Sequence, residues 1–459
     1  MTLKSQKRNV FLSGAMLAVG LWAGGCGSGP LDDEWIEPRP LAGPVPVHRP
    51  PRFTESDRTP GASKTEAAEP QGSLTLAQSI AAALLYNPEL ESFAWSVRSA
   101  EARALQASLL PNPRLGFVTE NRDGPSNVTV RNTIRISQVF ETAGKRRKRT
   151  DLAEANRTLA TWDYEERRIY VVREVARRHI AVLAAQKRVK LGSHTVELAE
   201  QVLKIVQDRV RAGVVPGSER DRALVRLSSE KIRLNRDERR LLAARHSLAS
   251  SWAGREARFT EAVGPFEQMD PLPGKSKLLA DIGRNPRIAR WGDEIEQRRR
   301  NMDLAVAGGT SDMTAGVGLR HFADTDETAF LVELSAPIPI MDRNQGRVLE
   351  ARYELARART RQRASRVKLV EELNRHYQAL AASHFEATTL DRETLPAARA
   401  AFAAARNAYQ KGRTDYLEVL DAERTLVDIE RQWLNALESY HQARAEVEAL
   451  IAGPLDGTP

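Results

Sequence analysis

Few side chains in this sequence stand where type and spacing could do chemistry, and most of those are carboxylates. Glu418 and Asp421 fall six and nine residues after Gly412, and Glu219 falls six after Gly213. Acids just beyond a glycine turn sit in the first turns of a helix. There they either complement the helix dipole and face solvent or, if copies of the chain meet about one axis, concentrate cations and repel anions. The other candidate is Cys26, the only cysteine among 459 residues. The eight histidines show no HxxxH spacing and the cysteine has no CxxC partner, so no metal centre is expected. No glycine-rich phosphate loop or nucleophile elbow is present, and neither a catalytic group nor a cofactor is expected.

What precedes Cys26 gives it a context. Lys4, Lys7 and Arg8 open the chain, an apolar run extends from Val10 to Trp22, and small residues lead to the cysteine. This is the layout of a secretory signal over residues 1–25, and the run is too short to span a bilayer. The stretch resembles a bacterial lipoprotein signal, which implies that Cys26 is acylated, although Ala23 stands where such signals usually carry Leu. Gly27 follows in place of the Asp that resembles an inner-membrane retention mark, so the expected destination is the outer membrane. Residues 26–73 are proline-rich without apolar period and read as a linker from the lipid anchor to the folded body. The formal charge is +9, yet 69 basic residues are interspersed with 60 acidic ones. That pattern is a solvated helix surface rather than a nucleic-acid site.

The elements that must position these residues are mostly helices. Val175, Val182, Val189, Val196, Leu203 and Val210 recur every seven residues, beside a small-residue series of Ala185, Gly192, Ala199 and Val206. Leu227 to Leu248 and Val419 to Val447 carry two more heptad series, so the helices pack along their length as in coiled coils. One helix is expected from Lys145 to about Ala212, roughly 100 Å long at 1.5 Å per residue. Pro396 should kink another. Two hairpins interrupt the helices, at 114–140 and 312–340, with alternating apolar and polar residues and strands long enough to cross a bilayer at a tilt.

The hairpins belong to a duplication. Asn87-Pro88 recurs as Asn285-Pro286, Gly144 as Gly346 and Gly213 as Gly412. The first repeat spans 74–253 and the second 273–453, with a linker at 254–272 and a tail at 454–459. The fold class is therefore mainly α with a small β part. No later stretch is apolar enough for a membrane helix, so any span must use strands. Four strands cannot close a barrel, and unpaired backbone groups in lipid cost several kcal/mol each. The chain is expected to form a homotrimer with a twelve-stranded barrel.

At this level the chain resembles the TolC family of outer membrane efflux proteins, from about Leu74 to Gly453. The specific pieces are "PIPIMDRNQG" (337–346), "LPAARAAFAAARNAYQKGRTDYLEVLDAERTL" (395–426) and the fainter "RVRAGVVPGSERDRA" in the first half. The first two are similar to the CzcC-like branch, the outer-membrane components of heavy-metal efflux systems. The resemblance implies a long α-helical barrel continuing from the β-barrel, and partners in a periplasmic adaptor protein, an inner-membrane pump and outer-membrane lipid. It also implies roles at the helical tip: Glu418, Asp421 and Glu219 at the pore constriction, Tyr409 as a latch, and Gly213 and Gly412 at the helix turns. The family's arginine two residues after the second glycine is Thr414 here. Two alternatives remain at this stage, a duct for drugs or other organic compounds and a lipid-anchored coiled-coil tether without a pore.

Overall fold

The computed structural model describes residues 69–123 and 128–455. The signal, Cys26, most of the proline-rich linker and the end of the tail lie outside the described residues.

The first repeat opens with β1 (Gly72–Thr75), α1 (Leu76–Tyr86) and α2 (Pro88–Ser108), followed by β2 (Arg114–Asp123), β3 (Val128–Phe140), α3 (Lys145–Arg211) and α4 (Gly217–Ala249). After β4 (Phe259–Val263) the second repeat opens with two short helices, α5 (Lys275–Asp281) and α6 (Pro286–Ala289). It continues with α7 (Trp291–Ala307), β5 (Met313–Phe322), β6 (Glu327–Ser335), α8 (Gln345–Thr389), α9 (Leu395–Gln410) and α10 (Tyr416–Ile451). Among the described residues no helix is long and apolar enough to cross a membrane.

The duplication is visible in hydrogen bonds. Asn87 caps α2 by accepting from Glu89 and Leu90 N–H (both 3.0 Å) and donates through Nδ2 to the Ser251 carbonyl (2.8 Å). Asn285 caps α6 by accepting from Arg287 N–H (2.9 Å) and donates to the Leu450 carbonyl (3.0 Å). Each Asn-Pro thus starts a helix, with Pro at a position that needs no N–H, and ties it to the chain at the end of its own repeat.

α3 has 67 residues, and its heptads explain why it survives at that length. The valine series and the small-residue series are mostly buried, because α4 covers one flank and α10 the other. The kink expected at Pro396 is taken up by a π-helical turn over Leu390–Thr394, in which Leu395 N–H donates to the Leu390 carbonyl. A π turn absorbs the hydrogen bond that proline cannot make while the helix continues.

Two boundaries differ from the sequence reading. β6 starts at Glu327 and ends at Ser335, so Ala336–Ile340 are not strand: Pro337 and Pro339 cannot donate to a ladder. The stretch 254–272 is folded onto the body, since β4 pairs in parallel with β1 and buries Phe259, Ala262 and Phe266.

The four-stranded sheet runs β2-β3-β5-β6, all neighbours antiparallel. Its register aligns Leu115, Ile136, Val317 and Val332 in one row and Phe117, Ile134, Leu319 and Phe330 in the next. All eight lie on one face and are 45–78% exposed. The other face is polar: Arg135 pairs with Glu333 at 3.0 Å, and Arg320 donates to the Thr133 hydroxyl at 3.1 Å. Gly318 leaves room there, since a Cβ would stand 2.6 Å from the Ile134 carbonyl oxygen. An exposed apolar face backed by a polar one inverts the soluble pattern and matches a membrane barrel wall.

The sheet is locked to the helices below. Lys145 reaches Asp312 at 2.8 Å, and Thr142 donates from its N–H to Asp312 and from its hydroxyl to the Ser311 carbonyl. Arg149 pairs with Glu141 and donates to the Ala107 carbonyl. Lys145 and Arg149 therefore hold the junction together, while Arg146 and Arg147 between them stay exposed.

Candidate functional site: the helical tip

The far ends of the long helices meet at two glycine turns of the same construction. Gly213 N–H donates to Val210 and Val214 N–H to Arg209 (both 3.0 Å); Gly412 N–H donates to Tyr409 and Arg413 N–H to Ala408 (both 2.9 Å). This closes each helix with a residue in the left-handed region, φ +68° and +70°, where a side chain would be strained. The following helices start differently. Pro216 precedes α4 without a side-chain cap, whereas Asp415 caps α10 by accepting from Glu418 N–H at 3.2 Å.

Glu418 and Asp421 are both exposed and share one face of α10. Glu418 also accepts from the Thr414 hydroxyl. Their face continues upward as Thr425, Asp428, Gln432, Asn435 and Ser439, every one exposed, with the exposed Arg424 at its margin. The opposite face of α10 is covered: His441 contacts the Phe266 carbonyl at 2.8 Å, and Arg444 pairs with Asp270.

Glu219 makes a contact of its own. It is partly buried and accepts from the Tyr409 hydroxyl at 3.0 Å, bridging α4 to α9. Tyr409 is otherwise enclosed: the Arg209 guanidinium lies 4.2 Å from its ring centre and donates to its carbonyl at 2.7 Å, and the Tyr416 ring is 6.0 Å away. Burial, reinforced by the Glu219 carboxylate, pushes the Tyr409 hydroxyl up to about 12. It is therefore a donor throughout the physiological range.

Behind this contact runs a buried ionic chain. Arg226 reaches Glu230 at 2.7 Å and Glu423 at 3.1 Å, and Arg431 reaches Asp237 at 3.5 Å and Glu230 at 3.9 Å. Burial raises the Glu423 carboxyl above its usual range, with Arg226 opposing. These residues and Arg209 went unnoticed in the sequence because α4 and α10 belong to different repeats. The α10 stripe could have been seen, since its polar members recur at helical spacing. Among the described residues no group of three or more His, Cys, Asp or Glu is disposed to hold a metal.

The profile of the family "Outer membrane efflux protein" matches residues 79–254 and 294–453. The chain belongs to that family. Its members are outer membrane channels whose helices extend into the periplasm, transporters rather than enzymes. The cobalt-zinc-cadmium resistance protein CzcC of Cupriavidus metallidurans is 27% identical over 83% of this chain and 91% of its own length. Among solved structures, CusC, described in terms of transmembrane channel formation, superposes with a TM-score of 0.69 at 17% identity, covering 82% of this chain and 92% of that one. The open state of the Neisseria gonorrhoeae MtrE outer membrane channel gives 0.68 at 18% identity, covering 83% and 89%. The likeness to these two channels establishes the fold.

Proposed function

We propose that three copies of this chain close into an outer membrane duct that passively conducts heavy-metal cations, delivered by an inner-membrane pump through a periplasmic adaptor. The observation that carries this reading is the sheet. Its apolar face suits lipid, while β2 and β6 each present an unpaired edge, which lipid does not tolerate. Pairing β6 of one copy with β2 of the next satisfies both edges in three steps. The helices support the same assembly, since α8 exposes Leu349, Tyr353, Val367 and Phe385 on the flank opposite its buried Ala351, Ala358, Leu369 and Leu373.

In this arrangement the α10 stripe faces the axis. Three copies of Glu418 and Asp421 at the tip would attract cations and exclude anions. Tyr409 with Glu219 and Arg209 would hold the tip closed until partners engage it, and Gly213 and Gly412 would shape the turns. The metal cargo rests on the resistance named for the CzcC relative, and the carboxylates are consistent with it. The lipid on Cys26 would add an anchor in the same membrane.

The test is planar-bilayer recording on the purified, heat-resistant trimer. The wild type should pass current with cation preference, and the double variant Glu418→Ala, Asp421→Ala should lose most of that preference. A monomer, or a trimer without conductance, would favour a pore-free tether. Deleting the gene should sensitise the host to cobalt, zinc or cadmium; sensitivity to organic compounds alone would reassign the cargo.

A further inference from the structure

A one-sided run of positive charge lies on α8. Arg352, Arg359 and Arg366 recur every seven residues with Arg363 between the last two, and all four are exposed. The ion pairs of this helix use other residues: Arg357 with Glu354, Arg375 with Glu371, and Glu372 with Arg287. Further down, the same helical stripe becomes Val370 and Tyr377. Tyr377 donates to the Pro273 carbonyl at 3.2 Å, and both side chains pack on the cluster of Leu278 and Ile282.

That contact tells which way the arginines point. The segment holding Phe266, Asp270 and Pro273 covers His441 and Arg444 on α10, the side turned away from the stripe of Gln432, Asn435 and Ser439. If the stripe faces the duct, the segment lies outside the helical wall, and so does the α8 face that continues onto it. The four arginines thus form an outward cationic face, repeated in each copy.

Their distance from the membrane selects the partner. Arg352 and Arg366 lie about 10 and 32 Å along α8 from its start, at 1.5 Å per residue. Lipid phosphates at the foot of the sheet act over a Debye length of about 8–10 Å, which reaches Arg352 alone. The rest of the face stands in the aqueous periplasm, where the fixed anionic polymer is the cell wall. Guanidinium groups fit carboxylates with paired hydrogen bonds. We propose that this face binds the carboxylate-bearing peptides of peptidoglycan, fastening the channel into the mesh that its helices must cross. The inference rests on the duct reading for its orientation.

The experiment is co-sedimentation of the full-length trimer in detergent with purified peptidoglycan sacculi. Wild type should sediment in a salt-sensitive manner. Replacing Arg352, Arg359, Arg363 and Arg366 together by Gln should weaken binding roughly tenfold or more, as four lost exposed ion pairs would, while the four Lys replacements retain part of it. Bilayer conductance of the Gln variant should stay at the wild-type level, which separates failure of this proposal from failure of the duct. If the fourfold variant does not assemble, Arg359→Gln with Arg363→Gln serves, with a smaller loss. Undiminished sedimentation of an assembled variant would overturn the proposal. So would wild type that binds vesicles containing phosphatidylglycerol but stays in the supernatant when sacculi are spun down.

Discussion

Tyr409 shows how one hydroxyl can couple two halves of a chain. Its ring is held by Arg209 and Tyr416 from within the packed tip, while its oxygen alone reaches Glu219. Tyr409→Phe keeps the ring and removes that bond. It should weaken the α4–α9 contact by about 1 kcal/mol, which is roughly a fivefold shift in an opening equilibrium. Single-channel recording should show more frequent open events, and identical traces would deny the bond any part in closure. Glu423 makes a second prediction through its raised pKa. The folded chain holds a proton there at a pH where the unfolded chain, near the usual 4.5, has released it. Stability from this group is therefore greatest below that value and declines as pH rises toward the folded pKa. Between pH 4.5 and 7.5 the dissociation temperature of Glu423→Gln trimers should change less unfavourably than that of wild type.

At the scale of elements, the two glycine turns carry the sharpest demand on sequence. Gly412 needs a positive φ, and a side chain there costs roughly 1–2 kcal/mol. Gly412→Val should loosen the turn between α9 and α10, seen as faster proteolysis at Lys411 and Arg413 with the barrel core still resistant. Nearby cuts no faster than in wild type would show that the turn tolerates the strain. The long helices make a different demand, since α3 depends on neighbours along both flanks rather than on its ends. Gly144, which precedes it at the cap position, offers no side-chain cap, and its first turn carries no acid.

At the scale of the whole molecule, the exposed faces become intelligible only when several copies and a bilayer are counted. Phe330 lies in the middle of the apolar face of an edge strand. Phe330→Arg should cost about 2–4 kcal/mol if that position sits near the bilayer midplane. The expected result is less heat-resistant trimer recovered from outer membranes. Arginine at Ala329, whose side chain points the other way, should be tolerated better. Equal losses at both positions would contradict a lipid-facing sheet.

The sequence by itself determined what is local and periodic. Heptads give the long helices, alternation gives the strands, and the paired Asn-Pro and glycine signals give the duplication, because each depends on neighbours within one element. β2 and β3 were legible to the residue for that reason, and so were the glycine turns and the position of acids after them. Only the tertiary structure decided what depends on elements meeting across the repeats. It joined Glu219 to Tyr409 instead of to Glu418, drew Arg226 to Glu423, folded 254–272 onto the body and aligned the apolar rows of the two hairpins. None of these follows from spacing, since burial and pairing between distant segments are set by three-dimensional packing.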